Sequence, residues 1–485
     1  METTTTATTL PKQIDYHLRS TTAPDYKMMR IPLNNFPGAT VSIDPTGSIT
    51  LEWKLPNALP YNLYRSYISW NEHIPAQGAG KFTHTFEDVF DLGHSITFGS
   101  AGGTDLVNLQ HAQNYSKISR KIHTDLDDFL GNDDMSGLYK SNNAASLTFV
   151  PGGYNRATPV GVDVTPTYQA TENIIDVKQI HTSEADDRPV DRYRQYPLGA
   201  FKGTLLGVDR DFWSPVEQYL RVQAGTGDKM AFTGTDDIVT KANANPPEVV
   251  NPAAGAASII PGAKITLNSI YLYLCVEQNV EIVQNIKSAY AAGKLTYSIP
   301  YTQGFKMVGS LNGQQTNISH TLSQQYGKRL KRILHTVWNP QEKWNTAYDC
   351  ANYNGEKILS YQTFMDSMPI QDRILSCQRP LGTQINSDDW LENKKFLDKR
   401  SVYSSKEMYG IHWFHMDQFF EPHDKMGSLP EVNIDEGIPM TTSKTWLFSG
   451  QVNPAASAAN LIHYTYAEFS RDIIITNMGP VWVMA

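Results

Sequence analysis

The residues best suited to chemistry crowd into one stretch, Ile411-His412-Trp413-Phe414-His415-Met416-Asp417-Gln418-Phe419-Phe420-Glu421-Pro422-His423-Asp424. Imidazole and carboxylate donors this close together are what a divalent transition metal takes, and His412, His415, Glu421 and His423 are the candidate ligands. The local pattern argues against such a site. If residues 409–416 form a strand, His412 and His415 point to opposite faces, because strand side chains alternate with period 2. The neighbouring Trp413, Phe414, Phe419 and Phe420 suit a packed strand end instead. The expectation is that no metal or other cofactor is held.

A second cluster is cationic: Lys328-Arg329-Leu330-Lys331-Arg332. Interleaved with Leu330, Ile333 and Leu334, Lys328, Arg329, Lys331 and Arg332 could line a surface for nucleic acid or anionic lipid, or form a solvated strand face paired with acidic neighbours. Phe98-Gly99-Ser100-Ala101-Gly102-Gly103-Thr104 is rich in glycine but lacks the Lys-Ser/Thr of a phosphate loop. Neither a Gly-x-Ser-x-Gly elbow nor a His-Glu-x-x-His helix occurs. Catalysis is not signalled, and the chain reads as a non-enzyme.

The elements that must carry these residues are mostly strands. The chain has 485 residues, 40% hydrophobic and 19% charged, which is the texture of a folded globular protein. Its balance of 41 basic against 49 acidic residues leaves a net charge of −8, so wrapping nucleic acid is not the task of the whole molecule. Three scattered cysteines, Cys275, Cys350 and Cys377, supply neither a disulfide framework nor a Cys-x-x-Cys site, which fits a reducing compartment. No apolar run reaches the ~18 residues of a membrane helix. The threonine-rich start, Met1-Glu2-Thr3-Thr4-Thr5-Thr6, has no secretory pattern, so the sequons at Asn114 and Asn317 carry little weight.

Residues 1–30 read as a flexible N-terminal arm. Thr40 to Ile43, the turn Asp44-Pro45-Thr46-Gly47 and Ser48 to Trp53 predict a hairpin. Residues 115–130 have helical spacing before Gly131, and Val280 to Ala292 has it before Gly293. Phe212 to Val222 fits a short helix or a bent strand. Asp388 to Leu397 predicts a helix with acidic residues first and lysines last. The Ala/Pro/Asn/Gly-rich stretch 241–263 is the clearest compositional break and predicts a linker or exposed loop. Short strands with frequent turns on both sides of it give an all-β chain, with a first domain over 31–240 and a second over 264–485.

From Lys264 to Lys306 a strand, a helix and a second strand follow one another. With Tyr326 to Leu334, Asp389 to Phe396 and Tyr409 to Phe414, this order resembles the double jelly-roll major capsid proteins of icosahedral DNA viruses, and is most similar to those of virophages and polinton-like viruses. The resemblance implies two jelly-roll β-sandwich domains with a few inserted short helices and long loops. It further implies a homotrimer forming a pseudo-hexagonal capsomer that tiles an icosahedral shell in the virion. Its partners would be neighbouring capsomers and penton and minor capsid proteins. The 328–332 cluster would face the capsid interior, near genome or an internal membrane. Synthesis inside the host cell, without secretion, follows from the same reading. Insertions over 140–200 and 225–262 are expected to project or to clamp neighbours. The alternative is a β-sandwich carbohydrate-binding or metal-dependent hydrolytic protein, with Trp213, Trp344 and Trp390 as sugar platforms.

Overall fold

The computed structural model describes residues 23–74 without 37, 39 and 44–47; 92–123 without 101, 102 and 104; 190–234 without 225–230; 265–338 without 310–314; 358–376; and 437–483 without 453–460. It also describes residue 388 and the short strands 82–85, 149–150, 154–155, 181–185, 257–259 and 415–418.

Among the described residues, eight main strands build the first half: β1 (Tyr26–Pro32), β2 (Thr50–Leu55), β3 (Tyr61–Ile74), β4 (Gly93–Ser100), β5 (Asp105–Gln110), β6 (Val190–Pro197), β7 (Gln218–Ala224) and β8 (Ile265–Glu277). They pair antiparallel as two sheets, β1-β8-β3-β6 and β2-β7-β4-β5. Eight more main strands, with short strands at 368–369, 438–439 and 479–483 beside them, build the described part of the second: β9 (Thr296–Gly309), β10 (Gln315–Leu322), β11 (Arg329–Trp338), β12 (Ile358–Met365), β13 (Leu375–Ser376), β14 (His415–Gln418), β15 (Lys444–Val452) and β16 (Leu461–Thr476). Their sheets are β9-β16-β11-β14 and β10-β15-β12-β13. Adding eight to each strand number of the first half gives the order of the second. Each half is a jelly roll, and the repeat lies in topology rather than in residue identity.

Helix α1 (Ala112–His123) follows β5, and α2 (Val280–Ala291) joins β8 to β9. The α2 ends are set locally: the Asn279 side chain accepts the Glu281 amide at 3.0 Å, and Gly293 at φ +66° turns the chain out of the helix. The alternation expected of strands is plainest in β10, where Thr316, Ile318, His320 and Leu322 are buried and the residues between them exposed. Inside the first sandwich lie Trp53, Trp70, Phe98, Leu220 and Leu272; inside the second lie Ile318, Tyr361, Trp446, Phe448 and Phe469.

Four expectations change. Val41–Ile43 pairs with β8 whereas Thr50–Leu55 pairs with β7, so the predicted hairpin is instead a chain crossing from one sheet to the other. Turn chemistry fixes a reversal but not the sheet that receives each arm. Residues 26–30 of the expected arm are strand, held by β8 in a register that sets Tyr26 opposite Glu277. The break at 241–263 does not divide the domains, because β8 returns to the middle of the first sheet between β1 and β3. It lies in the β7–β8 connection, and the passage between sandwiches is α2. Residues 211–212 and 218–224 are strand, which settles the ambiguous segment. Most of the predicted helix at 388–397 lies outside the described residues.

A further four-stranded sheet, in the order 181–185, 82–85, 231–234, 257–259, is made only of strands from the β3–β4, β5–β6 and β7–β8 connections. Those connections leave the sandwich at one end, since successive strands alternate in direction, so the insertions pair with one another there.

Candidate functional site: the seam between the sandwiches

Strand β16 is buried continuously from His463 to Arg471, although one face of a sandwich strand commonly meets water. The reason is a second covering layer. Ala467 and Phe469 face into the second sandwich, while Tyr464 and Tyr466 join the core of the first. The Tyr466 hydroxyl donates to the His111 carbonyl at 3.0 Å, and its ring lies 5.1 Å from that of Tyr115 on α1. One apolar interior thus runs through the seam.

Polar groups fix its register. Arg332 Nε donates to Glu468 Oε2 at 2.5 Å, with both side chains largely buried. Burial alone would lower the Arg332 pKa, but the Glu468 carboxylate outweighs it and holds the guanidinium charged. Tyr115 reaches the same pair; its hydroxyl donates to the Lys202 carbonyl, and burial pushes its pKa up to about 12. Thr302 of β9 donates to the Gly203 carbonyl at 2.7 Å. Gly203, at φ +78°, also has no room for a side chain, because a Cβ would stand 2.5 Å from the Tyr115 hydroxyl.

Arg471 closes the other part of the seam. It donates to the carbonyls of Tyr326 at 2.6 Å, Gln325 at 3.1 Å and, across the seam, Asp105 at 3.1 Å. Its guanidinium lies 3.4 Å from the Tyr301 ring centroid and 4.7 Å from that of Trp482, so cation–π contact replaces lost water. Edge strands β5 and β9 meet here, and a Cβ on Gly304 would lie 2.3 Å from the Gln110 carbonyl oxygen. Each edge covers the other, removing two unpaired edges that would otherwise invite association.

The basic cluster is therefore divided. Lys328 pairs with Asp472 at 3.3 Å, Arg329 donates to the Gly437 carbonyl at 3.0 Å, and both keep partial exposure. Lys331 and Arg332 are buried, so the four do not make one cationic surface. A register shift between Leu330 and Arg332 breaks the simple alternation that the sequence suggests. Of the candidate metal ligands, His415 lies in β14 opposite His335 of β11; His412, Glu421 and His423 lie outside the described residues. Among the described residues no three His, Cys, Asp or Glu groups are placed to hold a metal ion.

A histidine set unmarked by sequence spacing does assemble in the second sandwich. His335 and His463 stack at 6.0 Å, and His335 lies 4.3 Å from Phe448. His320 lies between Phe305 at 4.9 Å and Trp446 at 6.0 Å. Burial depresses the pKa of His320 to about 4; burial, then the charge of His320, depresses that of His463 to about 3. The three come from β10, β11 and β16, so no local motif could reveal them.

Two sandwiches of one strand order, joined through α2 and packed with the β5 edge and α1 of the first against the β9-β16-β11 face of the second, define a double jelly roll. No protein-family model and no curated protein matches the sequence. Solved structures do match: the Faustovirus major capsid protein at 9% identity, over 96% of this chain and 93% of that one, with a TM-score of 0.53. The PBCV-1 virus capsid matches at 10% identity over 98% and 100%, and a cryo-EM structure of the Sputnik virophage at 10% over 98% and 92%, each with a TM-score of 0.50. The chain has the double jelly-roll fold of viral major capsid proteins.

Proposed function

We propose that this protein is a viral major capsid protein, a non-enzymatic subunit whose homotrimer forms a pseudo-hexagonal capsomer and tiles an icosahedral shell in the virion. The observation that carries the reading is the repeated eight-strand order, together with likeness to capsid structures over nearly the full length of both chains. Two similar sandwiches per chain let three chains supply six similar corners, and a ring of that kind packs in a plane. Neighbouring capsomers, penton proteins and minor capsid proteins are its partners. Within the basic cluster, contact with genome or an internal membrane falls to Lys328 and Arg329, the two members with solvent exposure. The carbohydrate-binding alternative draws no support from Trp213, which is buried with its indole N–H donated to the Asn57 carbonyl at 2.9 Å. Trp344 and Trp390 lie outside the described residues.

Mass determination and electron microscopy of concentrated protein test the reading. A trimer and hexagonal particles or sheets are expected. A monodisperse monomer at micromolar concentration refutes it.

A further inference from the structure

The buried histidines among the described residues are His320, His335 and His463, and all three belong to the second sandwich. In the first half His73, His94 and His111 are partly exposed. The buried trio is walled by rings. Phe305 of β9 and Trp446 of β15 hold His320 between them, and Phe448 of β15 lies 4.3 Å from His335 and 5.9 Å from His463. Along β16, His463 stands opposite Met307 of β9 and Val337 of β11. Nε2 of His320 and both ring nitrogens of His463 are buried without a hydrogen-bond partner. Such an interior suits neutral imidazole only.

A proton taken up by His320 or His463 finds little negative charge to meet it. Strands β9, β10, β11, β12, β13 and β15 contain neither aspartate nor glutamate. On β16, Glu468 is engaged by Arg332 and Asp472 by Lys328. Asp417 of β14 stands opposite Ile333 and His415 opposite His335, with β11 between that strand and β16. Tyr361 of β12, which stacks on Phe448 at 5.4 Å, carries no negative charge in acid. Lys331, Arg332 and Arg471 on the same sheet add like charge. The buried ions of the first sandwich are instead of opposite sign, with Arg194 3.6 Å from Glu72.

We infer that the second sandwich is an acid-operated latch, which opens as a unit near about pH 5 while the first sandwich stays closed. The direction follows from proton linkage. In the opened chain the imidazoles titrate near the ordinary 6.5; in the closed one, burial holds His320 at about 4, and burial with the His320 charge holds His463 at about 3. Acid therefore favours the opened form, by on the order of a thousandfold for the two together between pH 7.5 and pH 5. The back of β16 carries Tyr464, Tyr466 and Glu468 into the seam, so opening also unfastens the two sandwiches. Under the capsomer reading this loosens a shell in an acidic compartment, but the latch is a property of the single chain.

Hydrogen–deuterium exchange of the full chain, read by mass spectrometry at pH 7.5 and pH 5 and corrected for intrinsic rates, tests the latch. Protection over β10, β11 and β16 should fall by about a hundredfold or more at pH 5, while that over β3, β4 and β7 changes by less than about threefold. His320→Phe with His463→Phe should keep the second sandwich protected at pH 5. Should that variant fail to fold, His320→Leu with His463→Leu replaces it with the same expectation. Loss of protection in both sandwiches together, no loss in the second, or an equal loss in wild type and variant overturns the latch. Oligomeric state is read separately: a monomeric wild type refutes the capsomer reading and leaves the latch standing.

Discussion

Acid should destabilise the second sandwich through its buried histidines, and the size of the effect can be worked out. His320 and His463 have folded-state pKa values of about 4 and about 3, against an ordinary value of 6.5. For a histidine whose folded pKa is depressed, the unfolded chain takes up protons first as pH falls. Stability is therefore unaffected well above pH 6.5, declines as pH falls below it, and stops declining only beneath the folded values. At pH 5 each residue costs roughly 2 kcal/mol, about 1.5 log units at 1.36 kcal/mol each, and the two together about 4 kcal/mol. That is a large part of the ~5–15 kcal/mol by which domains are ordinarily stable. The groups facing the pair are Phe305 from β9, His335 from β11, and Trp446 and Phe448 from β15. His415 of β14 stands opposite His335 in register. The perturbation is His320→Phe with His463→Phe, compared with wild type by urea denaturation at pH 7.5 and pH 5. Carboxylate titrations common to both proteins cancel in the difference. Wild type should lose about 4 kcal/mol more than the double variant over this interval, and His320→Phe alone should recover about half. Equal losses in wild type and variant would refute the reasoning.

Other outcomes follow from the seam and the surface. Arg332→Met leaves Glu468 buried without its partner and should cost about 3–5 kcal/mol in denaturant titration, whereas Arg332→Met with Glu468→Met should recover most of that. Gly304→Ala drives a methyl group into the Gln110 carbonyl and should lower stability by about 1–3 kcal/mol, with faster proteolysis in the α2 segment as the sandwiches part. Lys328→Glu disturbs only a partly exposed pair with Asp472, so its melting curve should report no more than about 1 kcal/mol beyond local repulsion.

Strand character was legible locally. The alternation over Gln315 to Leu322 states which side chains turn inward, and the Asn279 and Gly293 signals bracket α2 because capping is settled within a few residues. The double jelly roll itself came from resemblance in the order of elements, and the structure bears it out. The candidate site was much less legible. The most conspicuous donors, at 412–423, fall mostly outside the described residues, and the 328–332 cations looked like a surface yet include a buried seam contact.

The sequence by itself determined the all-β character, the inward and outward faces of individual strands, and the acidic charge balance, since period, turn chemistry and composition act over short range or over the whole chain at once. Only the tertiary structure decided that Val41–Ile43 and Thr50–Leu55 belong to different sheets, that β8 completes the first sandwich, that Arg332 meets Glu468, and that His320, His335 and His463 share one interior. Each of these depends on pairing between segments far apart in the chain, where period-2 alternation says which face is buried but not what buries it.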